Sequence, residues 1–120
     1  MLNLSPDSVS SLTPERKAEL IQLLEVAQYR WTLQARPSQL APEGDWTTWL
    51  IKAGRGFGKT RAGAETVRQW KDTMPIFHFI GATAGDARDI MIEGPAGILA
   101  CSPPWDMPKY EPSKRKLSWK

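Results

Sequence analysis

The chain has 120 residues, of which 41% are hydrophobic and 24% are charged, and its formal net charge is +3. This composition fits one modest globular domain, or a piece of a larger one, and excludes a disordered chain. The mildly basic balance is compatible with nucleic-acid binding but does not require it.

Three features of the sequence bear on the compartment. Cys101 is the only cysteine, so an internal disulfide is impossible and a reducing compartment is predicted. We expect its thiol to be a small buried group rather than a reactive one. The first residues lack the basic and apolar regions of a signal peptide, and no apolar run reaches the roughly 20 residues that span a bilayer. The sequence therefore predicts a cytosolic protein without a membrane segment.

A helix is predicted over residues 14–30. Thr13 followed by Pro14 and Glu15 is typical of a helix start, whereas the first dozen residues are polar and expected to fray. Apolar residues then recur at spacings of three and four, at Leu20, Leu23, Leu24, Ala27 and Trp31. This stripe favours packing on a larger body, with binding of a partner as the alternative.

A strand, a glycine-rich loop and a helix are predicted in succession near the middle of the chain. Residues 46–51 are rich in β-branched and aromatic side chains and predict a strand covered on both faces. Residues 59–71 contain no proline and predict a helix whose small residues at 62–64, Gly63 included, let it lie close to a sheet. The loop between them reads Ala53-Gly54-Arg55-Gly56-Phe57-Gly58-Lys59-Thr60.

This loop has the pattern of a phosphate-binding loop, although Ala53 replaces the usual first glycine. Glycines let backbone N–H groups approach a polyphosphate closely, and the helix that follows directs its positive N-terminus at the phosphates. We expect Lys59 to reach the β- and γ-phosphates of ATP and the Thr60 hydroxyl to bind Mg²⁺. Arg55 is predicted to stabilise charge on the γ-phosphate, with an exposed loop residue as the alternative.

The second half of the chain predicts a further strand and helix. Residues 76–80 are apolar and predict a strand. Thr83 and Asp86 have the spacing of a capping box that opens a helix as far as Glu93. Residues 102–112 predict a proline-rich loop, and the alternation of Leu117 with Trp119 predicts a strand.

The end of the chain is its most basic part, and aromatic residues lie among the basic ones. The cluster consists of Lys109, Tyr110, Lys114, Arg115, Lys116, Trp119 and Lys120. Such a cluster can contact nucleic acid, but it is also typical of a solvated strand edge.

Hydrolysis of ATP requires an acid at the end of another strand to hold Mg²⁺, and commonly a glutamate to orient water. No Asp or Glu after Lys59 follows an apolar run of the required kind. The sequence therefore predicts nucleotide binding without appreciable turnover.

Several stretches in order resemble the start of the ATPase domain in large terminase subunits of tailed bacteriophages and prophages. They are Ala-Arg-Pro-Ser-Gln-Leu at 35–40, Gly-Asp-Trp at 44–46, Trp-Leu-Ile-Lys-Ala-Gly-Arg-Gly-Phe-Gly-Lys-Thr-Arg-Ala-Gly-Ala-Glu at 49–65, Gly-Asp-Ala-Arg-Asp-Ile-Met-Ile-Glu-Gly at 85–94 and Tyr-Glu-Pro-Ser-Lys-Arg-Lys-Leu-Ser-Trp at 110–119. In that family, Ala or Gly at the first loop position and Arg at the third are usual.

The resemblance implies an α/β fold, an incomplete P-loop NTPase three-layer sandwich with a mostly parallel sheet. Residues 1–35 would form an N-terminal helical segment and residues 36–120 the first half of the ATPase domain, without the acidic strand motif and nuclease domain of the intact protein. Gln39 would contact adenine, and Lys59 and Arg55 would serve catalysis. The residues implied to bind nucleotide are Gln39, Ala53, Gly54, Arg55, Gly56, Phe57, Gly58, Lys59, Thr60 and Arg61.

The intact family members hydrolyse ATP to move double-stranded DNA into a procapsid in the bacterial host cytoplasm. The resemblance therefore implies ATP and Mg²⁺ as cofactors, and double-stranded DNA, the portal protein and the small terminase subunit as partners, with a homo-oligomeric ring for the intact protein. It also indicates that the chain is an N-terminal fragment or truncated product. The alternatives are another P-loop NTPase, such as a helicase-like translocase, and a non-catalytic remnant that binds nucleotide or DNA.

Overall fold

The computed structural model describes residues 5–120, which divide into two compact units. The first unit reaches to Gln34, and the second is Ala35–Lys120. No helix within the described residues combines the length and apolarity needed to cross a membrane.

The first unit contains three helices, α1 (Pro6–Ser10), α2 (Pro14–Ala27) and α3 (Trp31–Gln34). Thr13 begins α2 as predicted, because its side chain accepts a hydrogen bond from the backbone N–H of Arg16. The expectation of frayed residues before it is wrong for α1, whereas residues 1–4 lie outside the described part. The predicted apolar stripe is buried only at its end: Trp31 on α3 is buried, whereas α2 has no buried residue and Leu23 and Leu24 are more than half exposed.

The second unit is organised around one long helix, α4 (Lys59–Trp70). A short α-helix, α5 (Ala84–Asp86), continues as a π-helix over Ala87–Ile92, and α6 (Ile98–Cys101) follows. Strands β1 (Lys109–Glu111) and β2 (Lys116–Ser118) pair antiparallel, with Tyr110 opposite Leu117. Short 3₁₀-helices occupy Pro37–Gln39, Pro104–Asp106 and Pro112–Lys114.

The predicted parallel-sheet P-loop sandwich is wrong. About 49% of the structure is helical, and its only sheet within residues 5–120 is the antiparallel pair of β1 and β2. The segments 46–51, predicted as a strand covered on both faces, and 76–80, predicted as an apolar strand, lie outside any strand, and Leu50 and Ile80 are 82% and 83% exposed. A strand requires a hydrogen-bonded neighbour, and the local composition on which these two predictions rested does not supply one.

Two predictions for the chain after residue 80 are confirmed, whereas the predicted loop at 102–112 contains strand β1. The Thr83 hydroxyl accepts the backbone N–H of Asp86 at 3.0 Å, and a carboxylate oxygen of Asp86 accepts the N–H of Thr83 at 3.2 Å. This capping box starts the helical segment that runs to Ile92. Residues 116–118 form the predicted strand near the end of the chain.

The core of the second unit lies where α4, α6 and the π-helix meet. Its buried residues are Ala64, Ile92, Ile98 and Cys101. Half-buried side chains from the hairpin, including Leu117 and Trp119, pack against this cluster. Small side chains on α4 therefore bring it close to neighbouring helices rather than to the predicted sheet.

Gly63 lies on the exposed side of α4, although we predicted that it was needed for close packing. A Cβ built at this position would meet no atom within 4 Å, whereas the neighbours Ala62 and Ala64 are buried. The glycine therefore lowers the stability of the helix without a compensating contact.

We predict that Gly63→Ala stabilises the second unit by about 1 kcal/mol, because alanine loses less backbone entropy in a helix. The midpoint of urea denaturation should rise with an unchanged slope. A fall in the midpoint would mean that α4 needs glycine here for a contact.

The Cys101 thiol is fully buried, and this burial raises its pKa from the ordinary value of 9.0 to about 11. A raised pKa means that the folded state holds the proton more tightly than the unfolded state does. The stability contribution is thus complete below pH 9 and is lost as the pH rises from 9 towards 11.

We predict that at pH 10.5 this thiol alone costs about 2 kcal/mol of stability relative to pH 8. Urea denaturation of the parent chain and of Cys101→Ala at both pH values isolates the thiol, because lysines and tyrosines titrate equally in both proteins. Parallel loss of stability in the two proteins would contradict the assignment.

Candidate phosphate-binding site

The loop at residues 53–58 turns directly into the first residue of α4. Gly56 and Gly58 have φ angles of 76° and 91°, in the left-handed region that favours glycine. Gly58 is the residue that precedes the helix, and no side chain caps the helix at this position. The first N–H groups of a helix have no intrahelical acceptor, so those of α4 are available to an anion.

Gln39 holds the loop from the side. It ends a 3₁₀-helix, where its side-chain oxygen accepts the backbone N–H of Arg36 at 2.9 Å, and its amide nitrogen donates to the carbonyl of Phe57 at 2.8 Å. A Cβ on Gly58 would lie 2.7 Å from that nitrogen. Both ends of the Gln39 amide thus bind the backbone, and they determine the path of the loop just before α4.

Arg36 is a second anchor that the sequence reasoning did not single out. Its Nη2 donates to the same Phe57 carbonyl at 2.6 Å, and its guanidinium lies 5.0 Å from the centre of the Phe57 ring. The sequence feature that could have identified Arg36 is its position directly before Pro37 and three residues before Gln39. One carbonyl therefore accepts two donors from outside the loop.

The predicted phosphate ligands differ in their surroundings. The Lys59 ammonium donates to the carbonyls of Ala53 and Gly54 at 2.9 and 2.8 Å, which places a positive charge across the start of the loop. Thr60 is half-buried in the first turn of α4, and Arg55 is exposed at the turn of the loop. Arg55 forms no hydrogen bond or ion pair with the residues described, so the structure does not bring it to the other ligands.

Arg61 forms an ion pair with a buried carboxylate on its own helix. Its Nη2 lies 2.7 Å from Glu65, which is only 1% exposed, and Nη1 of Arg68 lies 2.6 Å from the other oxygen of the same carboxylate. The Nε of Arg68 is buried without a hydrogen-bond partner. Sequence reasoning missed this cluster, although the spacings of three and four residues are typical of ion pairs along a helix.

The geometry as a whole suits the binding of an anion. The left-handed glycines, the uncapped N-terminus of α4 and the Lys59 ammonium all contribute positive charge or free donors to one end of a helix. Within residues 5–120 no group of three or more His, Cys, Asp or Glu side chains is arranged to hold a metal ion.

The chain matches no model of a known protein family, no curated protein and no solved structure.

We predict that Gly58→Ala destabilises the second unit by about 1 to 2 kcal/mol, the cost of a left-handed backbone for an L-residue. The new Cβ would also push the Gln39 amide away from the Phe57 carbonyl. Gly54→Ala is the matched control, because a Cβ there meets nothing within 4 Å and its φ is not positive. Urea denaturation measures both variants, and equal effects would show that the left-handed backbone at Gly58 costs alanine nothing.

Proposed function

We propose that the chain binds ATP through the loop 53–60 and is the nucleotide-binding portion of a DNA-packaging ATPase of the terminase type. The observation that carries the proposal is the pair of left-handed glycines leading into an uncapped helix whose first residue is Lys59. Phosphate binding of this kind depends on the local backbone and the helix N-terminus and does not require a parallel sheet.

The residues of the loop fit a polyphosphate. The backbone N–H groups of 56–60 would donate to phosphate oxygens, and the Lys59 ammonium would exchange two carbonyl acceptors for the β- and γ-phosphates. The Thr60 hydroxyl would complete the coordination of a Mg²⁺ held mainly by the phosphates. Arg55 is exposed at the turn of the loop and would have to move to reach the γ-phosphate.

The proposed partners follow from the resemblance described above. In an intact packaging motor they are double-stranded DNA, the portal protein and the small terminase subunit. Without an acid at the end of a strand, the chain itself is expected to hold ATP with negligible hydrolysis.

The direct test is the affinity of the chain for a fluorescent ATP analogue with Mg²⁺, measured by anisotropy. We predict that Lys59→Ala weakens binding at least about tenfold, since a charge-assisted hydrogen bond contributes about 1.5 to 3 kcal/mol. Lys52→Ala removes an exposed lysine of equal charge just outside the loop and should change the affinity little.

A second experiment measures the affinities of unlabelled nucleotides by competition with the fluorescent analogue. Affinity should fall from ATP to ADP to AMP, because the loop is proposed to bind the terminal phosphates. Equal affinities for the three, or equal effects of the two lysine variants, would reject the loop as the site. Phosphate release that Lys59→Ala abolishes would instead show that an acid takes part which the sequence reasoning did not identify.

A further inference from the structure

A second candidate surface is formed by residues 76–80, which read Ile-Phe-His-Phe-Ile. These residues lie in no helix, strand or turn, and their exposure alternates along the chain. Phe77 and Phe79 are half-buried, and Phe79 packs against the core of the second unit, whereas Ile76 and Ile80 are 71% and 83% exposed. Alternation with a period of two is the side-chain pattern of an extended strand. The core therefore holds one face of an extended segment.

The backbone of this segment is unpaired. Within residues 5–120, no N–H or carbonyl group of residues 76–80 forms a hydrogen bond. The segment also lines an open groove of about 1130 Å³, which leaves space beside it. Sheet edges are commonly protected by charged residues or proline, and these five residues include no Lys, Arg, Asp, Glu or Pro. The segment is thus a free strand edge that can accept another extended chain.

The order of the five residues determines which chain fits this edge. The sequence reads the same in both directions around His78. When two copies pair antiparallel with His78 opposite His78, each Ile76 lies opposite Ile80 and each Phe77 opposite Phe79. Every side chain then faces one of its own type, and aromatic pairs across neighbouring strands stabilise a sheet. The segment is therefore complementary to itself.

We propose that residues 76–80 bind the same segment of a second copy of this chain, as an antiparallel strand pair with a twofold axis at His78. Identical surfaces related by a twofold axis form a closed contact, so the product is a dimer rather than a filament. Five residues on each side give a small interface, and small interfaces are typical of weak, reversible association. The contact does not involve the phosphate-binding loop, so either proposal can fail without the other.

Sedimentation velocity of the full chain over a concentration series measures the association. We predict a reversible monomer–dimer equilibrium that His78→Lys and His78→Asp each weaken severalfold, because two like charges then lie directly opposite each other. An equimolar mixture of the two variants should restore the dimer, since opposite charges then face each other. Leu50→Lys is the matched control: it adds the same charge at an exposed position of the unpaired segment 46–51 and should dimerise like the parent chain.

Disulfide formation tests the register of the strands. In the proposed pair the two His78 residues are direct neighbours, with Cα atoms about 4.5 to 5.5 Å apart, whereas the two Ile80 residues lie about 13 Å apart along the strands. Because a disulfide requires Cα atoms within roughly 7 Å, His78→Cys should form a covalent dimer on mild oxidation and Ile80→Cys should not. The parent chain should remain uncrosslinked, because its only cysteine, Cys101, is fully buried.

Several outcomes would overturn the proposal. One is a parent chain that stays monomeric over the whole concentration series, and another is growth of the assembly beyond the dimer. Equal losses in Leu50→Lys and His78→Lys, or a mixture of the two His78 variants that stays monomeric, would remove His78 from the contact. Equal cross-linking of His78→Cys and Ile80→Cys would show parallel pairing or random collision instead of the antiparallel pair.

Discussion

The packing of α4 against α6 and the π-helix is the contact on which the second unit depends. Ala64 on α4 meets Ile98 and Cys101 on α6, and the small alanine side chain allows the two helices to approach closely. Because one face of α4 is held in this core, its N-terminus and the loop before it have a defined position. The hairpin packs on the same cluster through Leu117 and Trp119.

The loop is constrained in a second way, because the carbonyl of Phe57 accepts hydrogen bonds from side chains outside the loop. Arg36 and Gln39 both donate to the Phe57 carbonyl, and together they hold the backbone in place where Gly58 enters α4. A binding loop held in this way loses less conformational entropy when a ligand binds. In this geometry the Gln39 amide shapes the loop through its two hydrogen bonds to the backbone.

The buried carboxylate of Glu65 holds Arg61, near the loop, in place. Burial of this charge would be costly without its arginine partners. Its carboxylate is almost fully buried, yet each oxygen accepts from a different arginine, Arg61 or Arg68. Removing one partner of such a group leaves an unpaired buried charge. The cluster therefore holds Arg61, the residue after Thr60, against the buried face of α4.

The sequence by itself determined the features that arise within a few residues of chain. The start of α2 at Thr13, helix α4 after the glycine loop, the capping box at Thr83 and the strand at Leu117 all follow from local hydrogen bonds or side-chain spacing. Only the tertiary structure decided whether 46–51 and 76–80 become strands, because strand pairing depends on backbone partners distant in the chain. It also decided that Gly63 faces solvent and that Arg36 and Gln39 both donate to the Phe57 carbonyl, since these features depend on segments that are distant in the sequence.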